Sequence, residues 1–119
     1  MTTQQIADRL VELCRRAEWE KAQQELFAEN AVSIEPHASP NFDKETKGLK
    51  AIFDKGKKFD AMVEKLHSLG VSDPLVAGDA ISFKLTMDIT MKDQTRATWY
   101  ELCVYQVKDG KIISEQFFI

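Results

Sequence analysis

The segment Trp99–Ile119, WYELCVYQVKDGKIISEQFFI, decides the fold of this chain. Two β-rich runs flank Asp109-Gly110, a pair that favours the positive φ angles of a tight hairpin turn. The chain is therefore predicted to end in a long antiparallel hairpin. With alternation, one face carries Trp99, Cys103, Tyr105 and Phe117, and the other carries Tyr100, Leu102, Val104 and Phe118. Since both faces are apolar, helices are expected to cover one of them and another surface to cover the other.

Two glutamates, Glu101 and Glu115, lie inside this apolar pattern. A sheet with a purely structural role would favour apolar residues at such positions, because an unpaired buried carboxylate is costly. The two glutamates are therefore the clearest functional signal in the sequence.

Composition limits the classes of function. The 119 residues predict one domain (1–119) with a sizeable core, since 44% are hydrophobic and 29% charged. A net charge of −3, from 16 basic and 19 acidic residues, argues against a general nucleic-acid or anionic-membrane partner. No apolar run approaches the roughly 18 residues of a membrane span, and the start MTTQQIADRL lacks signal-peptide character. A cytoplasmic location is therefore expected.

No motif for a cofactor or a metal is found. The glycines are scattered and form no phosphate-binding loop, and no pair of histidines has the local spacing of metal ligands. Cys14 and Cys103 fit neither a zinc pattern nor a disulfide framework, so both are expected to be small buried hydrophobes. We therefore expect a protein without a cofactor or a bound metal.

Before Met62 the apolar spacing is helical. Thr2 or Thr3 is expected to cap a first helix. A second helix follows, in which Trp19 packs into the core, and it ends near Asn30. A third helix begins at Gly48. The segment between the last two holds a short strand, 32–35, and a loop. Lys50, Asp54, Lys57 and Lys58 share one face of the third helix, which is interpreted as a solvated face.

After Met62 the period changes to two. A strand interrupted near Asp73-Pro74 is followed by a turn at 77–79 and by an alternating strand, 81–91. The resulting order predicts an α+β domain, in which three N-terminal helices pack on the concave face of a curved antiparallel sheet.

The runs LFAENAVSIEP, GLKAIF and VKDGKIISEQFF resemble the nuclear transport factor 2-like superfamily, and within it the SnoaL-like and ketosteroid-isomerase-like proteins. The resemblance covers essentially the whole chain. It implies a cone-shaped sheet wrapped around the helices, a deep apolar pocket, and a homodimer formed through the outer sheet face. The superfamily includes isomerases, cyclases, dehydratases, hydrolases and non-catalytic binding domains, so the fold alone does not fix the function.

Ketosteroid isomerases have three acid–base positions, which this chain matches in part. Glu35, before Pro36, falls at the carboxylate that removes the substrate proton. Leu10 and Cys103 fall at the tyrosine and the carboxylic acid that form the oxyanion hole. Steroid isomerisation by that mechanism is not expected, because oxyanion donors supply a large catalytic contribution.

The same correspondence predicts which side chains face the pocket. They are His67, Leu69, Phe83, Leu85, Met87, Trp99, Glu101, Cys103, Glu115 and Phe117. One hypothesis is an isomerase or polyketide-cyclase-like enzyme acting on an apolar carbonyl compound, with Glu35 or Glu101 as base and His67 as acid or orienting group. The alternative is a non-catalytic ligand-binding or dimerisation domain. We expect Glu101 and His67 to approach within hydrogen-bonding reach, directly or through one water. In a purely structural interpretation they form a buried pair without chemistry, and Glu35 or Glu115 lies at the solvent-exposed mouth.

The opposite face of the hairpin predicts the oligomeric state. Tyr100, Leu102, Val104 and Phe118 would form a contiguous apolar patch if left in water. Because such patches usually mark interfaces, we expect a homodimer through this outer face.

Overall fold

Three helices and seven strands make up residues 1–119, all of which the computed structural model describes. In chain order they are α1 (Thr3–Arg15), α2 (Trp19–Leu26), β1 (Phe27–Ile34), β2 (Glu45–Lys47), α3 (Leu49–Met62), β3 (Val63–Val71), β4 (Leu75–Ala77), β5 (Ala80–Met91), β6 (Arg96–Lys108) and β7 (Lys111–Phe118). The predicted α+β class, with three helices ahead of a strand meander, is confirmed. None of the helices is long and apolar enough to cross a bilayer.

The strands form one mixed sheet in the order β2-β1-β7-β6-β5-β3, with β4 pairing β5. Pairs within the meander from β3 to β7 are antiparallel, as predicted. The sheet is mixed and mostly antiparallel, since β1 joins β7 in parallel. This pairing places the first strand beside the terminal hairpin, and Ser33 lies opposite Glu115.

The terminal hairpin forms at the predicted turn. Asp109 and Gly110 adopt φ angles of 52° and 74°, which suit the twist of the flanking strands. Alternation along β5 and β6 is also as predicted, and it gives the inner face a continuous apolar surface. The buried residues of that face are Ile81, Phe83, Leu85, Met87, Ile89, Cys103, Tyr105 and Val107.

Helix α1 covers part of this inner face. Thr2 is its N-cap in a reciprocal capping box with Gln5. Ile6, Leu10, Leu13 and Cys14, which recur at helical spacing, are buried. Helix α3 differs, because Ile52 is its only buried residue. Most of α3 therefore lies beside open space and not against packed core.

Two element boundaries differ from the sequence prediction. Helix α2 ends at Leu26 and not at Asn30, because Phe27 opens β1 and pairs with Ile112 of β7. The Phe27 ring meets Tyr105 edge to face, with centroids 6.4 Å apart. Strand β2 lies within the predicted loop and exists only through pairing with β1, including Ile34 with Glu45. Both differences, the end of α2 and the presence of β2, result from tertiary contacts, which local residue spacing does not encode.

The outer face carries the predicted apolar patch. Tyr100, Leu102 and Phe118 are 61%, 47% and 47% exposed in the single chain. Leu102 and Phe118 are cross-strand partners, so their side chains are adjacent. The homodimer itself stays a prediction.

We expect Ile52→Ala to lower the free energy of unfolding by about 2–5 kcal/mol, because it leaves a cavity where α3 meets the core. Ile52 is fully buried, whereas Leu75 is 73% exposed. Urea unfolding of Leu75→Ala is the matched control and should change by less than about 0.5 kcal/mol. Equal effects of the two substitutions would contradict this packing.

Candidate functional site

A cavity of about 680 Å³ lies between the inner sheet face and the helices, and 19 of its 32 lining residues are hydrophobic. Most of the predicted pocket residues line it. They are Glu35, Phe83, Leu85, Met87, Trp99, Glu101, Cys103, Glu115 and Phe117. Trp19, predicted as a core plug, also lines the cavity while packing against the core. Apolar walls with a few polar groups are typical of small-molecule sites.

His67 does not join this site, and the predicted Glu101–His67 hydrogen bond was wrong. Its Nε2 lies 2.7 Å from Thr90 Oγ1, and the residue does not line the cavity. The reason is a shift in the β3–β5 register between Leu66 and Ser68. Such a bulge breaks strict alternation, which leaves His67 on the same side as Thr90.

Leu69 is also absent from the cavity wall. It pairs with Met87 and packs against the core from β3, which is the last strand of the sheet. Its predicted inward orientation is compatible with this packing. Leu69 does not reach the position predicted for contact with a ligand, because β3 lies beyond the strands that surround the cavity.

Glu101 is a carboxyl group of the cavity wall that has no hydrogen-bond partner in the protein. It projects between Trp99 and Cys103 on β6, and no hydrogen bond contributes to its pKa shift. Burial, followed by the charges of Glu35 and Glu115, raises the pKa of Glu101 to about 7, against a smaller lowering by Lys55. Near neutral pH this group can therefore either accept or donate a proton.

A polar cluster of Ser33, Glu35, Lys55 and Glu115 occupies one part of the wall. Lys55 Nζ donates to Glu35 Oε1 at 2.9 Å and to Ser33 Oγ at 2.5 Å. Ser33 Oγ in turn donates to Glu115 Oε1 at 2.7 Å. The cluster connects α3 with β1 and β7, and its ammonium lies among carboxyl groups.

Sequence reasoning missed Ser33 and Lys55. Lys55 was assigned to neither face of the third helix, and its side chain is only 15% exposed. Its spacing carried the signal, since it follows the buried Ile52 by three residues and precedes Phe59 of the cavity wall by four. Residues at those spacings share one helix face. Ser33 could be found only from the β1–β7 pairing.

Burial also raises the pKa values of Glu115 and of the two cysteines of the cavity. Burial raises the pKa of Glu115, partly opposed by the Ser33 hydrogen bond and by Lys55. Burial also raises the pKa of Cys14 to about 12 and that of Cys103 further. Both cysteines are therefore thiols at neutral pH and poor nucleophiles. No three His, Cys, Asp or Glu side chains are grouped as metal ligands.

The family assignment rests on the whole chain. A SnoaL-like domain model matches residues 1–119. The chain belongs to the SnoaL-like family. No curated protein matches the sequence of this SnoaL-like domain.

Solved structures share the fold over nearly the full length. A Mesorhizobium loti protein, provisionally named a SnoaL-like polyketide cyclase and also a carbohydrate phosphatase, is 28% identical, with a TM-score of 0.93 and 100% of both chains covered. A nuclear transport factor 2-like protein of unknown function from Burkholderia pseudomallei is 13% identical, with a TM-score of 0.79, covering 100% of this chain and 92% of that one. TerC, co-crystallised with polyporic acid, is also 13% identical, with a TM-score of 0.79 and coverage of 99% and 92%. The SnoaL-like domain therefore has the nuclear transport factor 2-like fold.

The raised pKa of Glu101 predicts that the stability of the protein depends on pH. The folded carboxyl keeps its proton up to about pH 7, whereas in the unfolded chain it is lost near 4.5, so the folded state binds more protons between these values. The free energy of unfolding should therefore fall as pH rises through this window, by roughly 3 kcal/mol relative to Glu101→Gln.

Urea unfolding of both proteins at several pH values between these limits measures the difference. Glu101→Leu, which has no charge to bury, should exceed the wild type in stability above pH 7. Parallel pH profiles for wild type and Glu101→Gln would show that the Glu101 pKa is not raised.

Proposed function

We propose that this SnoaL-like domain is a small acid–base enzyme of the isomerase or polyketide-cyclase type, which transfers a proton on an apolar carbonyl compound. The observation that carries the proposal is the Glu101 carboxyl, which faces an apolar cavity without a protein hydrogen bond and has a pKa near 7. Groups that exchange protons most effectively have pKa values near the working pH.

In the proposed reaction the ionised Glu101 takes a proton from the carbon next to the ligand carbonyl. The C–H electron pair shifts to give an enolate, and the proton then returns from Glu101 to another carbon of the same molecule. Atoms and electrons balance without a second reactant. Glu35 is less suited to act as the base, because its Oε1 is bound by Lys55 at 2.9 Å.

The size and lining of the cavity support a small apolar ligand, and two neighbours are consistent with it. The Mesorhizobium loti protein carries the name of a polyketide cyclase, and TerC was crystallised with polyporic acid. His67 takes no part in this proposal, since its ring contacts Thr90 and does not line the cavity.

The second candidate function is a non-catalytic ligand-binding domain of the same fold. It is favoured by Leu10 and Cys103, which line the cavity at the positions where the resemblance implies oxyanion donors. Leucine has no hydrogen-bond donor and a thiol has only a weak one. The two functions therefore differ in proton transfer and not in binding.

Proton exchange into 2-tetralone, a bicyclic aromatic ketone, distinguishes the two. In D₂O the wild type should accelerate deuterium uptake next to the carbonyl, as followed by NMR, and Glu101→Gln should lower the enzymatic rate by about 10²–10⁴-fold. Glu64→Gln, which changes an exposed carboxylate on β3, is the matched control and should leave the rate unchanged.

The rate of the wild type should rise with pH through about 7, as the Glu101 carboxyl ionises. Equal rates for wild type and Glu101→Gln would exclude Glu101 as the base.

Binding can be measured separately from catalysis. Both tryptophans of the chain, Trp19 and Trp99, line the cavity. Their fluorescence should change when 2-tetralone binds, in the wild type and in Glu101→Gln alike. Binding without exchange in either protein would favour the non-catalytic function.

We also propose that the domain is a homodimer through the outer sheet face. Tyr100, Leu102 and Phe118 support this proposal, because together they expose an apolar surface in the single chain. Light scattering at micromolar concentration should give twice the monomer mass of 13.6 kDa. Leu102→Glu should shift the mass to that of the monomer, whereas a monomeric wild type would refute the dimer.

A further inference from the structure

We propose that Lys55 is the electrophilic donor of the cavity, and that its ammonium binds the ligand oxygen that becomes negatively charged during proton transfer. This inference rests on the proposed function and narrows its substrate class. The ligand would be a neutral, enolisable ketone or a phenol, whose oxygen meets Lys55 Nζ in the form of an enolate or a phenolate.

The hydrogen bonds of Lys55 leave a donor for such an oxygen. An ammonium carries three N–H donors. Two of them are used by Ser33 Oγ at 2.5 Å and Glu35 Oε1 at 2.9 Å, and no third protein acceptor is bound. Because Lys55 lines the cavity, the third N–H is available to a ligand there.

Lys55 is also the less exposed of the two lysines that line the cavity, with a side chain that is only 15% exposed. The other lysine that lines it, Lys57, is 67% exposed and lies 3.8 Å from Glu20 at the surface. A charge-assisted hydrogen bond is stronger where water is excluded, so Lys55 can stabilise an oxyanion far better than Lys57. It thereby supplies the donor that Leu10 and Cys103 cannot.

The neighbouring carboxyl groups define the ligand class. A ligand that enters as a carboxylate would bring a full negative charge close to Glu35, Glu101 and Glu115, which all line the same cavity. A neutral ketone brings none. When Glu101 takes its proton, the C–H electron pair moves to the carbonyl oxygen, so negative charge leaves Glu101 and appears beside Lys55. The net charge of the cavity does not change during this step.

Glu35 and Ser33 are then positioning residues. Ser33 on β1 and Glu35 just after it hold the Lys55 Nζ, and the centroid of the Phe117 ring lies 5.8 Å from the same nitrogen. The backbone of Lys55 belongs to α3, and its ammonium is held by these two hydrogen bonds. Preorganised donors of this kind cost little reorganisation when charge develops.

The test uses 4-nitrophenol, whose phenolate absorbs visible light and so reports its own ionisation when bound. In Glu101→Gln, where residue 101 cannot titrate, 4-nitrophenol should bind as the phenolate. Adding Lys55→Met should weaken phenolate binding by about ten- to a hundredfold, the contribution of one charge-assisted hydrogen bond. The ionised fraction of the bound phenol should fall as well, which a merely structural role of Lys55 would not cause.

Two further variants serve as controls. Lys55→Arg keeps the cation and should retain most of the phenolate affinity. Lys50→Met, on the exposed side of the same helix, should change neither affinity nor ionisation.

Since Lys55→Met leaves Glu35 unpaired, Lys55→Met combined with Glu35→Gln removes both charges and keeps the test valid if the single variant does not fold. Undiminished phenolate binding and ionisation in any folded variant without Lys55 would overturn the proposal, as would a wild type that does not bind 4-nitrophenol. These results are independent of the exchange assay, which tests Glu101 as the base.

Discussion

The Lys55–Glu35 ion pair is the interaction on which the arrangement of the cavity depends. It joins α3 to the residue that follows β1, and Ser33 of β1 connects Lys55 to Glu115 on β7. Charges that are largely removed from water are stable only when paired and hydrogen-bonded, so each member of this cluster requires the others. The cluster therefore ties α3 to the sheet along one wall of the cavity.

The inner face of the sheet supplies much of the apolar wall of the cavity. The inner faces of β5 and β6 supply an apolar lining, in which Phe83 stacks on Tyr105 with centroids 5.5 Å apart. Across the cavity, Phe59 of α3 approaches Trp99 with centroids 5.7 Å apart. Glu101 lies on this apolar side of the cavity, and the low polarity of its surroundings raises its pKa. The same fold thus holds one carboxyl near its titration point and pairs another with Lys55.

Much of this could be predicted from the sequence, because the relevant signals are local. Asp109-Gly110 marked the hairpin, and strict alternation identified the inward residues of β5 and β6. The features that could not be predicted depend on contacts between residues far apart in the sequence. The bulge that turns His67 toward Thr90 and the parallel pairing of β1 with β7 depend on neighbouring strands that periodicity cannot show. Lys55 was missed for a different reason. The neighbouring lysines suggested a solvated helix face, whereas the spacing of Lys55 places it on the same face as the buried Ile52.

The cavity keeps Glu101 close to its titration point at neutral pH. The most direct measurement is a ¹³C NMR titration of the glutamate side-chain carboxyl carbons, with the Glu101 signal assigned by its absence in Glu101→Gln. We expect that signal to titrate with a pKa of about 7, where burial and the charges of Glu35 and Glu115 place it. A Glu101 signal that titrates near the ordinary value of 4.5 would contradict the acid–base account of this site.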